Sequence, residues 1–317
     1  MNTLYFVAQQ TMYFAIPLLI VALGGMFSER SGIINIALEG IMVIGAFAGI
    51  AFINVFQNSM SGQGLLLLAV LVAGISGAVF TLFHAFASIK LKADQTISGT
   101  ALNMFAPAFA IFTARMVQGV QQVQFKDTFY IRSVPVLGDI PVIGPILFQN
   151  SYITTYIGLG IALLSWIVIS HTRFGLRLRA CGEHPQAADS VGVNVYRIRY
   201  AAVFISGFLG GVGGITFVVP TSTNFNATVA GYGFLALAVL IFGQWRTNKI
   251  FFAAFFFGIM KTFASAYSGI PVLKDLPISN EIYKMIPYIA TLIVLTFSSK
   301  NSQAPRAEGI PFDKGSR

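Results

Sequence analysis

Apolar residues run along this chain in blocks far longer than a soluble helix needs to bury one face, and short polar breaks separate the blocks. Leu65–Val79, Ile153–Ile169 and Ile250–Met260 contain no Asp, Glu, Lys or Arg. Such runs reach or approach the ~20 residues that carry a helix across ~30 Å of hydrocarbon. Lipid offers no partner to open backbone, so the runs predict helices. Divided at their polar breaks, they predict spans near 8–27, 33–55, 64–88, 97–116, 152–170, 200–220, 228–244, 250–268 and 283–298. The fold class is therefore all-α: a polytopic transmembrane helix bundle of about nine spans, forming a single domain over 1–298. The polar remainder, 299–317, contains Pro305 and Pro311 and is expected to be a mobile cytoplasmic tail.

Two long polar segments interrupt the spans. Residues 118–150 are punctuated by Pro135, Gly138, Pro141, Gly144 and Pro145, which predicts an ordered loop across one mouth of the bundle. Residues 171–199 are rich in arginine and hold one short helical pattern, Pro185–Val191. Pro185 suits its first turn and Gly192 its stop.

Composition agrees with the pattern: 56% of residues are hydrophobic, 10% are charged, and the mean hydropathy is +0.75. No soluble globular class fits those values. The net charge of +9 could suggest nucleic acid, but the basic residues are scattered through short loops instead of forming one stripe. They act better as topology signals. With 171–199 and the tail cytoplasmic, most of the 20 lysines and arginines lie inside, and the N-terminus and 118–150 lie outside. Met1–Gln10 lacks a basic leader, so the first run is expected to be a span and not a removed signal. The single cysteine, Cys181, forbids an intrachain disulfide.

Enzymatic chemistry finds little support. His84, His171 and His184 pair by spacing with no metal ligand or nucleophile, and no phosphate-binding G-x-x-x-x-G-K-[ST] occurs. No cofactor and no metal are expected, and any ATP would be bound by another chain. Ionisable groups inside spans are the better clue, because each is costly there. Glu39 lies four residues after Asn35, so both are expected on one helical face, either lining a polar solute pathway or locking helices together. Thr96, Ser98 and Asn103 in the fourth span extend that pathway, although plain interhelical hydrogen bonding would use the same residues. Lys261 is expected to snorkel towards the outside. In the sixth span, Gly207/Gly211 and Gly210/Gly214 form two overlapping G-x-x-x-G spacings, a close helix-packing face. Thr96-Ile-Ser-Gly99 and Thr228-Val-Ala-Gly231 resemble each other and open spans of opposite direction.

Three stretches together resemble a known family. They are Ser28-Glu-Arg-Ser-Gly-Ile-Ile-Asn-Ile-Ala-Leu-Glu-Gly40, Gly175-Leu-Arg-Leu-Arg-Ala-Cys-Gly-Glu-His-Pro-Gln-Ala-Ala188, and Gly231-Tyr-Gly-Phe-Leu-Ala-Leu-Ala238. They look like the permeases of sugar, nucleoside and branched-chain amino-acid ABC importers, and most like the shorter permease of bacterial nucleoside importers. The resemblance implies an inner-membrane assembly with ABC ATPase subunits, a second paralogous permease and an external solute-binding protein or lipoprotein. It also implies that Gly182, Glu183, His184, Pro185, Ala187, Ala188, Val191 and Gly192 form an ATPase-coupling element, with Ala187, Ala188 and Val191 as its small apolar face. A simple sugar or a branched-chain amino acid is the alternative solute. A carrier or channel uncoupled from ATP is the alternative class.

Overall fold

The computed structural model describes residues 2–126, 129–267, 279–298 and 303–315. Asp127 and Thr128 of the loop, residue 268 at the end of the eighth expected span, and residues 299–302, 316 and 317 of the tail lie outside the described residues.

The bundle is built from α1 (Asn2–Glu29), α2 (Leu38–Phe56), α3 (Gln63–Ala85, continued by a π turn over Phe86–Lys90), α4 (Gln95–Gln118) and α5 (Ile153–His171). The short α6 (Arg173–Glu183) and α7 (Pro185–Ser190) lead into α8 (Val195–Thr221), followed by α9 (Tyr232–Phe242), α10 (Thr247–Ala266) and α11 (Asn280–Ser298). Among the described residues, 6 helices are long and apolar enough to cross a membrane: α1, α2, α3 with its π turn, α4, α5 and α8. The seventh expected span, 228–244, is corrected. Only the 11 residues of α9 are helical there, about 16 Å at ~1.5 Å per residue, roughly half a bilayer. The residues just before it cannot join the helix, because Ala227, Ala230 and Gly231 take positive φ.

The core forms around α8, which packs on α1, α2 and α3. Glycine makes this possible. A Cβ on Gly211 would lie 2.1 Å from the Ala73 carbonyl, one on Gly214 2.1 Å from that of Met42, one on Gly207 2.2 Å from Thr81 Cγ2, and one on Gly210 2.7 Å from Ile41 Cγ2. Facing glycines repeat the arrangement, since a Cβ on Gly45 would lie 2.3 Å from Gly211 Cα. In lipid, where no hydrophobic force separates helix from solvent, this close packing is what holds helices together.

At one end of the bundle the loop after α4 carries two small antiparallel ladders: β1 (Val123–Gln124) with β4 (Asn224–Phe225), and β2 (Ile131–Ser133) with β3 (Gln149–Ser151). Gln63 Nε2 donates to the Phe129 carbonyl at 2.8 Å, and Asn54 Nδ2 to that of Gln124 at 2.7 Å, tying the loop to α2 and α3. At the other end lie α6, α7 and the tail. The tail was expected to be mobile, but residues 303–315 are docked. Ala307 N donates to Gly182 O at 2.8 Å and Gly309 N to Gly32 O at 3.1 Å. Phe312 is buried against Tyr196 at 5.3 Å between ring centroids, and Lys92 pairs with Asp313 at 2.8 Å. Composition suggested disorder because the tail has few apolar residues; Phe312 and the backbone bonds suffice because they meet a preformed surface.

Candidate functional site

Between α1 and α2 the chain leaves helical geometry for residues 30–37. Backbone groups freed in a membrane protein need a protein partner, and here side chains of α3 and α4 supply several of them, Asn103 among those singled out by sequence. Gln95 Oε1 accepts from Ile34 N at 2.7 Å. Asn103 Oδ1 accepts from Gly40 N at 2.7 Å while its Nδ2 donates to Ile36 O at 2.8 Å. His84 Nε2 lies 2.8 Å from the Ile34 carbonyl and so carries the proton, which leaves Nδ1 to accept from the Ser98 hydroxyl at 3.1 Å. Asn35 Nδ2 donates to Ser206 Oγ at 2.8 Å. Asn35 and Glu39 do not share a helical face, because α2 begins only at Leu38 and Asn35 sits inside the break. Thr96 is exposed, and its carbonyl accepts from Thr100 Oγ1 one turn on. Gln95, His84 and Ser206 were missed as members of this set. The Ser31-Gly32 pair, with Gly32 at φ +95°, lies in the break already expected between the first two spans, whereas residues 33–37, expected to be helical, continue that break up to Leu38.

Glu39 does something different. Its carboxylate accepts from Gly231 N at 2.9 Å and Gly233 N at 2.6 Å, capping the first turn of α9 from another helix. A helix that starts inside the membrane exposes unpaired N–H groups and the positive end of its dipole, and an anionic acceptor answers both. The approach requires glycine, since a Cβ on Gly233 would lie 2.3 Å from Glu39 N. Gly99 packs on the same break, 3.1 Å from Ala37 N by the same measure. The two similar tetrapeptides therefore lead into helices that abut one stretch, residues 36–39.

Beside the α9 start lies a cavity of about 490 Å³ lined by Gly231, Tyr232, Phe234, Lys261, Tyr288 and Thr291, among others. Its size suits a small-molecule ligand. Lys261 does not snorkel away. Its ammonium lines the cavity and lies 5.6 Å from the Tyr232 ring centroid, near enough for cation–π attraction. Tyr232 is buried, packs against Phe217 at 3.9 Å between centroids with the rings tilted by 31°, and its hydroxyl has no hydrogen-bond partner among the described residues.

In the arginine-rich segment, Thr172 caps α6 by accepting from Gly175 N at 3.1 Å, and Pro185 occupies the first turn of α7. Gly192, at φ +85°, closes α7: Gly192 N donates to Asp189 O at 2.9 Å and Val193 N to Ala188 O at 3.0 Å, the paired bonds of a Schellman stop. One part of the expected face is corrected. Ala188 is only 4% exposed and packs inward with Cys181, Val195 and Phe312, whereas Ala187 is exposed and Val191 is 78% exposed. The inward turn follows from the helical period: Pro185 and Ala188, three apart, share the buried face. Gly182 supports the tail and would collide with Arg30 O at 2.3 Å if it carried a Cβ, while Glu183 and His184 form the joint between α6 and α7.

Interrupted helices thus meet at a cavity within a polytopic bundle. Over residues 7–295 the sequence matches the family described as branched-chain amino acid transport system / permease component, and the chain belongs to that family. It is a multi-pass plasma-membrane protein. The guanosine ABC transporter permease protein NupQ of Bacillus subtilis (strain 168) is 43% identical over 309 residues, covering 97% of this chain and 96% of that one. The nucleoside ABC transporter permease protein NupC of Lactococcus lactis subsp. cremoris (strain MG1363) is 40% identical over 314 residues, covering 99% and 98%. NupB of the same Lactococcus strain, also a nucleoside ABC transporter permease protein, is 24% identical over 317 residues, covering 95% and 84%.

Proposed function

We propose that the chain is the permease subunit of an ATP-driven nucleoside importer, forming half of the solute pathway beside a second, paralogous permease. ATP is hydrolysed on separate ABC subunits, and an external binding protein or lipoprotein delivers the solute. The observation that carries the reading is the similarity to NupQ and NupC along essentially the whole chain. The cavity at the α9 start is chemically suited to the task. Tyr288 offers aromatic surface, and Thr291 and Lys261 offer hydrogen bonds to a base or sugar. The exposed side of α7, with Ala187 and Val191, is the surface offered to the ATPase, in keeping with a helix seated in a groove.

Deleting the gene in its own host and measuring uptake of labelled guanosine tests the reading. Uptake should fall to background, and in the parent strain it should be competed by unlabelled nucleosides but not by ribose or leucine. Loss of leucine or ribose uptake with guanosine uptake intact would overturn the solute assignment. Guanosine uptake that persists after ATP depletion would overturn the coupling.

A further inference from the structure

At the end of the bundle that carries α6 and α7 lies a second cavity, of about 800 Å³, far from the α9 start in sequence and in lining. Arg30 from the break after α1, Arg179 from α6, Arg246 and Lys249 at the start of α10, and Arg306 from the tail converge on it, against Glu183 as its one acidic lining residue. None of these five cations has an ion pair within 4.0 Å among the described residues, where the three pairs present are Lys92–Asp313, Lys284–Glu281 and Lys314–Asp189. Burial lowers the pKa of Arg30; Glu183 opposes that, while the charges of Arg179 and Arg246 add to it. Five like charges gathered about a single carboxylate raise the local affinity for an anion. The first turn of α10 begins here with no side-chain cap, adding the positive end of a helix dipole.

The cavity does not end in water alone. An apolar groove of about 450 Å³ runs on between α5 and α10, lined by Leu159, Leu163, Phe251 and Phe252. It shares Trp166, Thr247 and Asn248 with the basic cavity, so the two are continuous. Tryptophan at the join marks the depth at which headgroups meet hydrocarbon. A soluble anion would use the arginines and leave the groove empty, and a neutral lipid would use the groove and leave the excess positive charge unneutralised.

We infer that the basic cavity and the groove together form a binding site for one anionic phospholipid, its phosphate-bearing headgroup among the arginines and an acyl chain along α5 and α10. The site holds α5, α6, the α10 start and the tail to one another through the lipid, at the end of the bundle where α7 is displayed. Its existence requires only that the chain lie in a membrane.

The full-length protein, purified in detergent, is offered equal amounts of dioleoyl phosphatidylglycerol and dioleoyl phosphatidylcholine, and bound lipid is counted by native mass spectrometry. Wild type should retain phosphatidylglycerol in preference. Arg246→Gln and Arg306→Gln should each lower that retention by about fivefold, the worth of one basic residue at an anionic surface, with thermal stability in lipid-free detergent unchanged. Arg246→Lys should restore it. Both arginines are exposed, so either variant alone suffices if the other fails to fold. Equal retention of the two lipids by wild type, or wild-type retention by both variants, would overturn the site. Displacement by soluble glycerophosphoglycerol as effective as that by the whole lipid would also overturn it, by giving the cavity to a water-soluble anion.

Discussion

Glu39 shows how a buried charge in a membrane can be structural and still govern function. Its two oxygens are both committed to α9, at Gly231 N and Gly233 N. Glu39→Ala would leave those N–H groups without their acceptor, at about 1–3 kcal/mol each. Folded protein and solute uptake should therefore fall together, measured as monodisperse yield and as uptake per cell. Uptake lost with full yield would mean that the carboxylate touches solute directly. Sequence located this residue but not its partner, because a cap supplied from 192 residues away leaves no local spacing. Asn103, Ser98 and Asn35 were likewise visible as intramembrane polar groups. Their work on residues 30–37 was hidden, since the apolar residues 33–37 read as the start of the second span, and that helix begins only at Leu38.

At the scale of elements, α7 was legible almost to the residue, because proline at its start and glycine at its stop are local chemistry. Its orientation was not: which side faces inward depends on Phe312, far along the chain. Two substitutions separate the faces. Val191→Arg, on the exposed side, should leave yield and thermal stability unchanged while abolishing solute-stimulated ATP hydrolysis in the assembled transporter. Ala188→Arg should instead destabilise the α6–α7 unit by several kcal/mol, about what overpacking and an unpaired buried charge together cost. The docked tail yields a pH dependence. Burial pushes the Glu308 carboxyl up to about 7 from an ordinary 4.5, against the lowering effect of its hydrogen bond with Glu29. A group that holds its proton more tightly when docked stabilises docking fully below about pH 4.5 and loses that contribution as pH rises through about 7. Amide exchange at Ala307 and Gly309, corrected for intrinsic rates, should accordingly show protection falling from pH 5 to pH 8. Glu308→Gln should flatten the dependence, and an equally steep fall in that variant would exclude the carboxyl as its cause.

Over the whole molecule the bundle is organised by backbone contact along α8, and the glycine spacings announced it. Gly211→Val should force α8 away from α3, where the Ala73 carbonyl stands in the way, at about 1–3 kcal/mol or more. The expected readout is a lower melting temperature for the entire bundle, not local loosening near α8. Span counting was less secure: a half-length helix and its irregular approach are together as apolar as a full span, so α9 was hidden within 228–244. Burial of the one cysteine has a practical consequence. Cys181 is fully enclosed between α6, α8 and the tail, and burial pushes its thiol up to about 11. At neutral pH it is a protonated, inaccessible sulfur, and thiolate is the species that reacts with maleimides. The natural chain should then behave as a cysteine-free background, ready to take spin labels or fluorophores at chosen positions without prior removal of its own thiol.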